Sequence, residues 1–167
     1  MFRRFATAGP WLSLFSRLLL AAVFAVSGWQ KFSDSEGTVR SVRAFQMLPN
    51  PVTRPFGYGL PLLELGVAVL LAIGIGTRFG ALISAALMVM FLVGISAAWA
   101  RGLNIDCGCF GNGSATVVDP VPGYVKDLLR DIGLLAAALF LARWPYTRLS
   151  LDAALGVTSP SPRPAPR

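Results

Sequence analysis

Histidine is absent from this 167-residue chain, and cysteine occurs only twice. The first absence excludes an imidazole general base and any histidine-ligated metal site. The second confines thiol chemistry to a single place, Cys107-Gly108-Cys109. Charge is scarce as well: 14% of residues are Asp, Glu, Lys or Arg, against about 25% in an average soluble domain. The balance is basic, 15 Lys and Arg against 8 acids for a net +7, which would suit a polyanion. No basic stripe with interleaved aromatics exists, however, and most of the arginines sit at the ends of apolar segments, where membrane topology puts them. No nucleic-acid partner is expected.

What the chain has in quantity is apolar sequence: 54% hydrophobic residues and a mean hydropathy of +0.62. Four segments meet the length of about 20 mostly apolar residues that a bilayer crossing needs. They cover residues 11–32, 57–76, 79–100 and 124–144. The Thr77-Arg78 turn is so short that the second and third must be antiparallel neighbours. Small residues (Gly66, Gly80, Ser84, Gly94, Gly133) recur in them, as close helix packing in lipid requires. Arg3 and Arg4 followed by the apolar run 18–26 resemble a secretory leader. Arg17 interrupts that run and no small-x-small cleavage site precedes Trp29, so the segment reads as a retained helix.

The connections differ in character. Val39, Val42 and Phe45 recur every three residues in the polar stretch 33–56, suggesting a short interfacial helix ended by Pro49-Asn50-Pro51. Trp29, Tyr58 and Tyr124 fit an aromatic belt at the outer interface. Residues 101–123 hold the cysteines among Gly111, Gly113, Pro120 and Pro122 and read as irregular. From about Ser159 the tail has nothing apolar to bury and reads as disordered.

Lysine and arginine counts nearly tie across the membrane. Arg3, Arg4, Arg78, Arg143, Arg148, Arg163 and Arg167 lie on one side; Lys31, Arg40, Arg43, Arg54, Arg101 and Lys126 lie on the other. The arginine-rich ends favour both termini in the cytoplasm. The cysteine loop then faces the extracytoplasmic side, where disulfides form and persist.

A disulfide needs Cα atoms about 4.4–6.8 Å apart, near the limit for residues i and i+2, and Gly108 allows the required bend. Such a ring closes almost no loop, so it stabilises little. A strained bridge is easily reduced, which is the property of catalytic disulfides. An inert bridge, two free thiols and a metal site are the alternatives. Two thiolates with Asp106 fall short of four zinc ligands within one chain, and no metal is expected.

Ionisable residues inside a bilayer are costly and pair toward the bundle interior. Glu64 lies seven residues into the second segment, about 10 Å deep. Arg130 and Asp131 sit at comparable depth in the fourth, and Lys31 closes the first. These four are expected to cluster in the outer half of the bundle. They either fix helix register or form a polar site that carries protons or holds a quinone head group. Arg17 is expected to snorkel or face the bundle on the inner side.

Five pieces carry a family resemblance: Ser27-Gly28-Trp29-Gln30-Lys31-Phe32, Phe45-Gln46-Met47-Leu48-Pro49, Pro61-Leu62-Leu63-Glu64-Leu65, Asp106-Cys107-Gly108-Cys109-Phe110-Gly111 and Arg130-Asp131. Over residues 12–143 the chain resembles the MauE family of methylamine-utilisation membrane proteins, within the DoxX-like group. That resemblance implies a four-helix membrane protein that matures a periplasmic, disulfide-rich amine dehydrogenase subunit, acting with a thioredoxin-like partner. The architecture is also similar to DsbB and vitamin K epoxide reductase, which exchange electrons between disulfides and quinones. This chain lacks the second cysteine pair that those enzymes use.

The expected molecule is therefore an all-α integral membrane protein of the cytoplasmic membrane. It is a four-transmembrane-helix bundle over residues 1–145, with an extracytoplasmic Cys-Gly-Cys loop and a cytoplasmic tail over 146–167. Cys107 and Cys109 are the candidate catalytic pair, exchanging disulfides with an extracytoplasmic thioredoxin-like protein. Lys31, Glu64, Arg130 and Asp131 are the candidate quinone or proton site, and lipid surrounds the bundle. The rival reading is a non-catalytic membrane scaffold for maturation of a secreted disulfide-rich protein. A transporter is disfavoured, since four helices are few and no inverted repeat is present.

Overall fold

Buried positions in the first long helix fall at 13, 14, 16, 17, 20, 21, 24, 27, 28 and 31, steps of three and four that lay one helix face against neighbours. The other long helices follow the same rule, and all are apolar outward as well: Trp11, Phe15, Leu62, Phe79 and Leu129 are exposed. In the computed structural model, which describes residues 2–103, 121–145 and 151, the elements are α1 (Phe2–Ser33), α2 (Ser35–Ala44), α3 (Asn50–Ile73), α4 (Thr77–Ala100) and α5 (Val121–Arg143). Cys107, Cys109 and the expected disordered tail lie outside the described residues. The described chain is all-helical. Three of its helical stretches, Pro10–Ser33, Asn50–Ile73 and Thr77–Ala100, are each long and apolar enough to cross a membrane. α5 matches them in length but carries Lys126, Asp127, Arg130 and Asp131 in its first half.

The helix ends depart from the expected ones for local reasons. α3 begins seven residues before the expected Gly57. Pro51 sits in its first turn, where a missing N–H costs nothing and the ring pre-sets the helical φ. Thus Pro49-Asn50-Pro51 starts α3 and does not end the short helix, which already stops at Ala44, two residues before Gln46 turns to a positive φ of 50°. α3 ends at Ile73 rather than Gly76, because Gly74 takes the left-handed conformation (φ 79°) and its N–H bonds the Leu70 carbonyl, a common stop. The turn is therefore Gly74-Ile75-Gly76, with Thr77-Arg78 already inside α4. The short helix α2 is longer than its apolar triplet, because Asp34 caps it by accepting from Gly37 N–H at 2.8 Å.

α1 packs most extensively on α3, and α4 on α5, with α1 also touching α5. α3 and α4 share much less contact despite their tight connection, and they splay apart toward α2. Leu20, Phe24, Leu71, Ala81, Ala138 and Leu141 form the core between the pairs. α2 lies along the first turns of α3, covering the part of α3 that extends past the end of α1. Tyr58 of α3 donates to Glu36 of α2 at 2.5 Å. That hydrogen bond, aided by the charge of Arg54, lowers the Glu36 carboxyl below its usual range.

Gly57 and Gly28 permit close approaches of α3 to α2 and to α1. A Cβ on Gly57 would lie 2.6 Å from Val39 Cγ2, and one on Gly28 would lie 3.0 Å from Leu65 Cγ and 3.1 Å from Glu64 Cβ. Gly66 meets nothing within 4 Å. Gly→Ala raises helix propensity by up to about 1 kcal/mol, whereas overpacking costs about 1–3 kcal/mol. Thermal unfolding in detergent should therefore show Gly66→Ala unchanged or stabilised, with Gly57→Ala and Gly28→Ala destabilised. Equal behaviour of all three would contradict the α1–α3 and α2–α3 contacts.

Candidate functional site

Ser27 and Lys31 are one turn apart on the buried face of α1 and point at Glu64 on α3. Lys31 Nζ donates to Glu64 Oε1 at 2.5 Å and to Ser27 Oγ at 2.9 Å, and Ser27 Oγ donates to Glu64 Oε2 at 3.2 Å. Glu64 is 0% and Lys31 8% exposed. Phe91 of α4 places its ring 4.8 Å from the same ammonium, an attractive arrangement for a cation over a π face.

Glu64 lies deeper than expected along its own helix. With α3 starting at Asn50, it is 14 residues in, about 21 Å at 1.5 Å per residue. The partner comes from the end of a different helix: Gly28 is level with Glu64, and α1 stops five residues later. The lysine at the mouth of α1 and the glutamate past the middle of α3 meet because α3 overshoots α1.

On α5, Arg130 holds Asp127 at 2.9 Å through one guanidinium nitrogen and Asp131 at 2.9 Å through another. Asp131 is 1% exposed. Ser27, Arg130 and Asp131 line one small cavity of about 10 Å³ together with Phe24, Phe91 and Leu134. The four expected residues thus come together as two ion-paired sets, Lys31–Glu64 and Arg130–Asp127/Asp131, on either side of Ser27. Arg17 faces the bundle at 2% exposure. Sequence reasoning gave Ser27, Asp127 and Phe91 no role. The i,i+4 spacing of Ser27 and Lys31 and the i,i+3 spacing of Asp127 and Arg130 were the available signals.

A second, larger space opens where α3 and α4 splay. It holds about 390 Å³ and is walled by apolar side chains of α3, α4 and the α2–α3 connection, with Gln30, Lys31, Asp34, Thr38 and Ser41 as its polar lining.

The cysteine segment itself lies outside the described residues, but both of its ends are anchored. Arg101 at the end of α4 donates to the Phe45 and Gln46 carbonyls at 2.6 and 3.4 Å, tying α4 to the end of α2. Tyr124 donates to the Leu103 carbonyl at 2.5 Å and lies against Trp99. Tyr124 is 2% exposed, unlike Trp29 and Tyr58, so it does not take the place in an outer aromatic belt expected of it. Its hydroxyl finds a buried backbone acceptor instead of water, which removes the reason to sit at the interface.

The family model described as Methylamine utilisation protein MauE matches residues 9–143. Proteins named Methylamine utilization protein MauE are similar to the chain. The one from Methylorubrum extorquens is 38% identical over 107 residues, covering 64% of this chain and 58% of its own length. That from Paracoccus denitrificans is 34% identical over 75% of this chain and 66% of its own. That from Methylophilus methylotrophus is 29% identical over 87% of this chain and 76% of its own. The chain thus spans little more than half of the first relative. No solved structure matches it.

Removing one member of a buried ion pair strands the other, at a cost of about 3–5 kcal/mol. Glu64→Gln should therefore lower the unfolding midpoint in detergent, and Lys31→Gln added to it should recover much of the loss. Additive losses in the double variant would show that the two side chains do not pair.

Proposed function

The chain belongs to the MauE family, and from that premise we propose that it serves methylamine utilisation as a membrane thiol–disulfide redox protein. It matures an extracytoplasmic protein of amine dehydrogenase type through the Cys107/Cys109 pair. The observation that carries this reading is that the chain's only two cysteines stand as Cys-Gly-Cys inside the region the family model matches. A pair so close in sequence contributes little as a staple and is well suited to exchange.

In this reading α5 is a fourth span. Its 23 residues extend about 34 Å, enough for a bilayer core of about 30 Å. Leu129, Ile132 and Leu139 are exposed while Asp131 is buried and Arg130 is ion-paired, the division expected for a lipid-facing helix with inward charges. Four spans return both termini to one side, the cytoplasm of the inner membrane by the arginine count. Residues 104–120 then face outward.

One thiolate of the pair attacks a sulfur of the thioredoxin-like partner's disulfide, and the partner's other sulfur leaves as a thiolate. The second cysteine attacks the resulting mixed disulfide, closes Cys107–Cys109 and releases the partner as a dithiol. Two electrons pass to the partner, and the reverse sequence oxidises it. Of Lys31, Glu64, Arg130 and Asp131, Lys31 lines a space large enough for a membrane quinone head group and would hold it, with Glu64 behind it; the cavity of about 10 Å³ at Arg130 and Asp131 is too small for the ring. Buried donors and acceptors in an otherwise apolar setting fit such a group. When bound, a quinone supplies a two-electron, two-proton couple able to reset the pair. Lys31 would donate toward it, and Glu64, which accepts from Lys31 and Ser27, would hold a proton at its carboxylate.

Two outcomes test this. A single Cys107→Ser or Cys109→Ser change should trap a mixed disulfide with a partner that dithiothreitol releases, and the double change should abolish both adduct and function. Full function of the double variant would instead favour the scaffold role. A membrane-impermeant maleimide added to intact, mildly reduced cells should label both cysteines; labelling only after lysis would reverse the orientation.

A further inference from the structure

The cleft between the splayed ends of α3 and α4 is separate from the ion pairs except where Lys31 forms its polar end. At about 390 Å³ it falls in the range of small-molecule pockets, about 300–1,000 Å³. Phe56 and Leu60 of α3, Met90 and Ile95 of α4 and Phe45 after α2 make its walls apolar. We propose that this cleft seats an uncharged amphiphile of quinone type, with its apolar body between α3 and α4 and a carbonyl oxygen turned toward Lys31. This rests on the quinone part of the preceding reading but needs no thiol chemistry.

Charge selects the class of occupant. The lining's one cation, Lys31, is already matched by Glu64, and Asp34 adds a carboxylate at the wall. Arg40 answers Asp34 at 3.9 Å, so both charges at the wall are matched and the cleft offers no net charge to attract a fatty-acid carboxylate or a lipid phosphate. Other wall hydroxyls are committed: Thr38 donates to the Lys31 or Asp34 carbonyl and Ser41 to the Gly37 carbonyl. An ammonium has three N–H donors. Two of those on Lys31 go to Ser27 and Glu64, which leaves one donor for a neutral acceptor. A sugar or nucleotide, needing many polar partners, finds too few.

Access and location agree with an amphiphile. Met47 and Val93 line the cleft and are also exposed, at 46% and 54%, so it opens on the protein's apolar exterior. Ile95, at its wall, belongs to the same cluster as Ala98 and Tyr124, with Phe45 and Leu103 packed against it. That cluster anchors both ends of the segment bearing the cysteines.

The test uses the full chain in detergent with decyl-benzoquinone as probe, palmitate as its anionic counterpart and dodecane as its headless one. Decyl-benzoquinone should raise the unfolding midpoint saturably, as a ligand of the folded state does, and the other two should not. A Cβ on Gly94 would sit 3.8 Å from Phe45 Cε1, so Gly94→Leu can be accommodated while its side chain fills the cleft. It should weaken the apparent affinity by roughly tenfold or more. An azido-benzoquinone photolabel, which keeps the test independent of that variant's folding, should mark peptides containing residues 30–34, 38–48 or 90–95. An equal shift with palmitate, unchanged affinity in Gly94→Leu, or labelling elsewhere would each overturn the assignment. The Cys107→Ser/Cys109→Ser variant should bind the probe as the native chain does. Loss of thiol cycling with binding intact then refutes only the redox reading, and loss of binding with cycling intact refutes only the cleft.

Discussion

Burying a lysine and a glutamate among apolar helices is tolerable only if they find each other, and that constraint organises the molecule. Lys31 and Glu64 come from different helices, so their pairing fixes how far α1 may slide along α3. Gly28, level with Glu64, permits the approach. Because α1 stops soon after Lys31 while α3 runs on, the exposed length of α3 must be covered, and α2 covers it. A buried ion pair is often no more stabilising than a well-packed apolar substitute. Its presence here is better explained by register and by the polar end it gives the adjoining cleft.

Most of the helical plan is legible in the residues, because hydropathy and length constrain a membrane helix more strongly than they constrain a soluble one. The chain around Thr77 to Ala100 has clear limits on both sides, and the structure follows them closely. The start of α3 was hidden, since Thr53 and Arg54 make its first turns polar and only Pro51 marks a helix entry. Tyr124 misleads for a related reason. An aromatic near a helix start suggests an interface, and only the fold supplies the buried Leu103 carbonyl that draws it inward. The charges were legible as a group, whereas their division into two paired sets was not. Asp127, one turn before Arg130, and Asp131 take the arginine, and Lys31 alone answers Glu64 among the ion pairs of the described residues.

The polar groups and the cleft share one end of the bundle with the anchors of the cysteine segment. Arg101 fastens the end of α4 to the α2–α3 connection, and Tyr124 fastens the start of α5 to Leu103. On the proposed redox reading, a segment whose two ends are pinned at the same end of the bundle as the cleft has short distances to bridge. A scaffold would need the pinned ends but has no use for a buried ammonium facing an apolar cavity.

The most direct measurement is the oxidation state of Cys107 and Cys109 in living cells. Rapid acid quenching followed by a mass-tagged maleimide counts the free thiols. If the pair carries electrons, both the dithiol and the disulfide should be present during growth on methylamine. The balance should move within minutes when the quinone pool is driven reduced or oxidised. A pair that stays wholly in one state through both treatments would contradict a redox role.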